Sequence, residues 1–160
     1  MQARMTSPAI KFPRVLDALQ ALSKAASEAG EQAGLEPSTV ELVNLRASQI
    51  NGCAVCLDMH SRGARKAGES DARLATLAAW RDAPYFSEAE RAALALIEAG
   101  TGIADRSEPV PDEVYEEAAK HYDEKALGAL VVRIAAINVW NRLNVITGQV
   151  AGEWTQRWVA

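Results

Sequence analysis

The 160-residue sequence predicts an all-α fold. It is rich in alanine and leucine, both strong helix formers. Its apolar residues recur at three- and four-residue spacing, and no segment of useful length alternates with the period of two that a half-buried strand requires.

The elements follow in order. After Pro13, the residues Val15, Leu16, Leu19 and Leu22 continue a stripe begun at Phe12, which predicts a helix ending near Gly30 or Gly34. Pro37 suits a first helical position, and the helix it opens carries Leu42, Leu45 and Gln49 to a stop at Asn51-Gly52. A third helix is expected from about Cys53 to Ala67, with Arg62, Arg65 and Lys66 complementing the negative end of its dipole and Gly68 following it. A shorter helix covers Asp71 to Trp80. Ser87-Glu-Ala-Glu90 is a capping-box pattern that opens the next helix, which runs to Gly100. The stretch 102–111 reads as a loop, because Pro109 and Pro111 delay the helix expected from Asp112 to His121. The last helix spans about Glu124 to Ile146. Its centre, Leu127 to Trp140, is apolar on most sides except at Arg133 and Asn138, as expected in a core or at a subunit interface. No linker or internal repeat divides the chain, so one domain over residues 1–160 is expected.

A domain of this length buries roughly 70% of its unfolded surface and folds without staples, which leaves its cysteines for chemistry. The net charge of −4 argues against nucleic acid or an anionic membrane as partner. Met1 to Lys11 lacks the apolar core of a signal peptide, and no apolar run is expected to reach the ~20 residues of a membrane span. The expected compartment is the cytoplasm, where a CxxC pair is more often catalytic or metal-binding than structural.

Both cysteines and one of the two histidines lie in Cys53-Ala-Val-Cys-Leu-Asp-Met-His60. Cysteines three apart can close a disulfide across one helical turn. His60, four residues past Cys56, falls on the same helical face and leans back toward it. The helix start after Asn51-Gly52 favours thiolate, and a nearby histidine can take the proton. Two thiols, an activating field and a base point to redox chemistry. Zinc is the rival reading, with Cys53, Cys56 and His60 as ligands and a fourth to come from His121 or a carboxylate. Leu57 excludes covalent haem attachment, which needs a histidine directly after the second cysteine. Glu41, twelve residues before Cys53, has two readings: a carboxylate folded back over the cysteines, or the last member of a capping box in Ser38-Thr-Val-Glu41. His121 is expected to cap its own helix, and Asn138, Trp140, Asn141 and Arg142 to form buried polar packing or a subunit contact.

The order Glu41, Cys53, Cys56, His60 resembles the core motif of the alkyl hydroperoxidase D and carboxymuconolactone decarboxylase superfamily. Glu41-Leu-Val-Asn-Leu-Arg-Ala-Ser-Gln-Ile-Asn-Gly-Cys53, Phe86 to Leu94 and Ala136 to Leu143 resemble segments of its small single-domain branch, so the likeness covers most of residues 12–147. The resemblance implies an all-α fold that assembles as trimers or hexamers, and thiol peroxidase chemistry needing no bound cofactor or metal. By that analogy Cys56 attacks the peroxide, Cys53 resolves the sulfenic acid, His60 accepts the proton and Glu41 polarises His60. The implied partners are a peroxide and a dithiol or lipoyl-type protein reductant. Val55 stands where the best-known peroxidase of the family has a histidine, which implies a shorter proton relay. The decarboxylase branch lacks the cysteine pair, so lactone decarboxylation is not the expected reaction. The alternatives are a non-redox enzyme or small-molecule binding protein on the same scaffold, and a structural-zinc interaction module.

Overall fold

The computed structural model describes residues 1–105 and 107–152; the end of the expected domain, 153–160, lies outside the described residues. Among these residues the regular structure is entirely helical: α1 (Pro8–Lys11), α2 (Pro13–Gln32), α3 (Pro37–Asn51), α4 (Ala54–Lys66), α5 (Asp71–Thr76), α6 (Glu88–Thr101), α7 (Asp112–His121) and α8 (Glu124–Ile146). Two 3₁₀ segments, Leu77–Asp82 and Ile103–Asp105, join them.

The expected all-α class is correct, and most boundaries fall where the local signals put them. The box at Ser87 and Glu90 forms in both directions at the start of α6. Gly52 ends α3 in the left-handed region at φ 68°, where a side chain would be strained. The Asp71–Trp80 helix departs from expectation: its α-helical part stops at Thr76 and the chain tightens into a 3₁₀ segment that buries Leu77 and Trp80. Of the two readings of Glu41, the capping box at Ser38–Glu41 is absent. Glu36 and Pro37 begin the helix, so Ser38 already lies in its first turn and Glu41 is released for another partner.

Helix α3 is the hub, packed against α4, α6 and α8, while α2 lies along α8. The core joins Leu42, Leu45, Leu77, Leu94, Ile97 and Leu130 around Cys53 and Cys56. Contrary to expectation, α8 is long and apolar enough to cross a membrane by length and composition. Here it packs in the bundle and lends three asparagines to the interior: Asn138, Asn141 and Asn144 are all buried. Asn51 Nδ2 donates to Asn138 Oδ1 and Asn141 Oδ1, both at 2.9 Å, and Asn141 Nδ2 donates to Ser48 Oγ at 3.2 Å. Asn138 Nδ2 also reaches Thr101 Oγ1 at 3.1 Å. The expected buried polar packing is therefore real at Asn138 and Asn141, where it ties the turn before Cys53 to the last helix, whereas Trp140 is half-buried and Arg142 exposed. A buried network of this kind specifies one arrangement because every broken member leaves an unpaired group.

Candidate active site

The α3–α4 turn delivers the cysteines. After Gly52, the Cys53 N–H returns to Ser48 O at 2.9 Å, and Cys53 becomes the N-cap residue of α4, whose first helical residue is Ala54, one position after the expected start. Its sulfur accepts from the Cys56 N–H at 3.3 Å. The two sulfurs lie at disulfide distance with a Cα–Cα separation of 5.4 Å, inside the range a disulfide spans. Both side chains are buried, but they differ in what they face. Cys56 forms part of the wall of a cavity of about 300 Å³, whereas Cys53 is buried outside its lining.

His60 lines the same cavity one turn along α4. Its Nδ1 is 2.8 Å from Glu41 Oε2, which joins α3 to α4 and leaves Nε2 as the ring nitrogen for proton exchange. The close fit of this pair depends on Gly63. A Cβ there would come within 2.8 Å of Glu41 Oε1, so the missing side chain makes the space the carboxylate occupies. The structure thus brings together Glu41, Cys53, Cys56 and His60. It leaves His121 apart from them, at the end of α7 and 3.4 Å from Glu117 on the same helix. Among the described residues no group of three His, Cys, Asp or Glu side chains is arranged to hold a metal ion.

Helix α8 contributes residues that the motif does not announce. Asn144 Nδ2 donates to Cys56 Sγ at 3.5 Å, a contact that strengthens when the sulfur is anionic. Trp140 forms a wall of the cavity and is held by its Nε1 donating to Ser23 Oγ at 2.8 Å. Arg133 enters from the same helix, and Asn44 from α3. Two signals for these residues exist in the sequence. Asn44 follows Glu41 by three residues and so shares its face, and Gly63 interrupts a helix, which often marks a close approach. Neither signal says what the residue meets, because the partner sits on another helix.

A model of the carboxymuconolactone decarboxylase family matches residues 13–99. The uncharacterized protein YdfG of Bacillus subtilis is 44% identical over 121 residues, 76% of this chain and 81% of that protein. The uncharacterized protein YnjA of Escherichia coli is 36% identical over 111 residues, 69% of this chain but only 59% of its own length. Among solved structures, an Agrobacterium tumefaciens protein of unknown function, provisionally assigned as the antioxidant defence protein AhpD, superposes with a TM-score of 0.85 at 34% identity. That match covers 95% of this chain and 99% of the other. The apo debrominase Bmp8 gives a TM-score of 0.73 at 20% identity over 94% of this chain and 78% of its own, a likeness of fold alone.

Proposed function

As this chain belongs to the carboxymuconolactone decarboxylase family, we propose that it is a thiol-dependent peroxidase of the alkyl hydroperoxidase D type. The observation that carries this reading is that Cys56, the sulfur partner of Cys53, faces the cavity beside a histidine whose other nitrogen is held by Glu41.

In the proposed cycle Cys56, as thiolate, attacks the distal peroxide oxygen. The O–O bond breaks, the organic product leaves as an alkoxide that takes up a proton from His60, and Cys56 becomes a sulfenic acid. Cys53 then attacks that sulfur, displacing water and closing the disulfide. The balance is one hydroperoxide and two thiols in, one alcohol, one water and one disulfide out. A dithiol or lipoyl-type group on a partner protein restores the pair by exchange. Asn144 and the start of α4 favour the Cys56 thiolate, while Glu41 keeps the His60 ring oriented. Val55 lies in the cavity wall, so in this chain His60 carries the proton transfer without a second histidine beside Cys56.

A reducing compartment such as the cytoplasm suits a dithiol that must be re-reduced in each turnover. The exposed apolar side chains Val131, Val132 and Val139 on α8 support a homo-oligomer, a trimer or hexamer, as part of the same proposal. Light scattering reads that assembly directly. For the activity, the test is peroxide consumption with several dithiol donors. Turnover that requires the donor and leaves the Cys53–Cys56 disulfide oxidised when the donor is exhausted supports the reading. Turnover of a substrate without any thiol points to a non-redox enzyme on this scaffold instead.

A further inference from the structure

Arg133 and Asn44 line the cavity beside Cys56, and each has one side-chain atom, Arg133 Nε and Asn44 Oδ1, that the fold buries without a partner. Asn44 is 2% exposed. Arg133 spends one donor on Ser27 Oγ at 2.8 Å, and among the described residues no carboxylate lies within ion-pair distance of it. Burial lowers the Arg133 pKa, and the nearby charge of Glu41 opposes that shift; Glu41, however, gives its Oε2 to His60. The guanidinium remains a cation in any protein environment. A cation on a largely apolar wall without a counter-charge at ion-pair distance is costly. The remaining lining is largely apolar, with Ile10, Leu16, Met59, Ile137 and Trp140 among the walls.

We propose that this cavity is a binding site for a small apolar molecule that ends in a carboxylate, which the Arg133 guanidinium holds. The guanidinium then gains a counter-charge at ion-pair distance, and the apolar walls take the hydrocarbon. Combined with the peroxidase reading, on which this part rests, the substrate class is an apolar hydroperoxide bearing a carboxylate.

Two measurements on the full chain test the site and the activity separately. Octanoate and its neutral counterpart 1-octanol are titrated by calorimetry. The expected result is a preference for octanoate of about 10- to 100-fold, the value of one hydrogen bond to a charged group. Arg133→Met, which keeps the bulk and removes the buried charge, abolishes the preference; Arg133→Lys, which keeps charge but not the forked geometry, retains part of it. Arg142→Gln, on an exposed part of the same helix, retains all of it. Equal binding of the two ligands, absence of binding by both, or a preference that survives in Arg133→Met overturns the proposal.

The second measurement is kcat/KM for a carboxylate-bearing hydroperoxide against its methyl ester. The wild-type ratio is expected to exceed about ten, from the same interaction, and to approach one in Arg133→Met. If neither peroxide is turned over while the octanoate preference holds, the carboxylate site stands and the peroxidase reading fails.

Discussion

Helix α3 carries two polar networks on different faces, and they are built in opposite ways. On the face toward α6, Glu98 receives three donors: Arg46 Nε at 2.7 Å, Trp80 Nε1 at 2.9 Å and Arg81 Nη1 at 2.7 Å. Burial alone would raise the Glu98 pKa, but the hydrogen bonds from Trp80, Arg81 and Arg46 outweigh it and the carboxyl sits below its usual range. Each oxygen of this carboxylate is used. On the face toward α4 and α8, Glu41 holds one ring nitrogen of His60, and the neighbouring Arg133 and Asn44 each keep an atom unpaired. The contrast teaches how to read buried polarity. A saturated network fixes the position of helices, whereas one with unpaired members beside a cavity is suited to receive a ligand and exchange protons with it.

The largest effect expected on the cavity side is that of Cys56→Ser, which abolishes dithiol-dependent peroxide turnover because serine is not ionised at neutral pH and attacks peroxide poorly. Cys53→Ser allows one attack and stops at a sulfenic acid on Cys56, which a dimedone-type probe and mass spectrometry detect. A sulfenic acid trapped instead on Cys53 in the Cys56→Ser protein reverses the two roles. Next comes His60→Ala, with a loss of roughly 10²–10⁴-fold in turnover, the usual range for general acid–base catalysis. Its melting temperature should change far less than its rate, and a variant with unaltered rate and thiol reactivity would make His60 a packing residue.

On the Glu98 side the expectation is reversed. Glu98→Ala leaves Arg46, half of a largely buried ion pair, without its partner and costs up to about 3 kcal/mol of stability, read by urea unfolding at neutral pH. The pH dependence has a definite sign. The folded-state pKa is lowered, so Glu98 contributes stability at pH above its unfolded value and loses it as pH falls through the folded value. The difference between wild type and variant should therefore shrink in acid, below about pH 4, where unfolded-state glutamates protonate. A difference that grows in acid would contradict the saturated-network account.

The smallest change separates the two networks most finely. Gly63→Ala places a methyl group where Glu41 Oε1 now lies, and the flexible carboxylate is the part able to move. Stability should be unchanged or higher by up to ~1 kcal/mol, since alanine is the better helix residue. Turnover should nonetheless fall about as far as in Glu41→Gln. A stable Gly63→Ala protein with full activity would show that the Glu41–His60 contact is dispensable.

Much of this architecture is readable in the chain itself. Pro13, Pro37, the Ser87–Glu90 box and Gly52 act on their immediate neighbours, so helix starts and stops are local matters that propensity and capping decide. The relation of Cys56 to His60 is local too, since four residues on one helix define a shared face. The role of Glu41 was not decidable from spacing: the same residue fits a capping box, and only the helix beginning at Pro37 together with the approach of α4 directs its carboxylate to His60. Arg133, Asn44 and Asn144 carry no motif at all. They become a cavity lining when α3, α4 and α8 pack together, because a vacancy in a hydrogen-bond network belongs to the space between helices and not to any one of them.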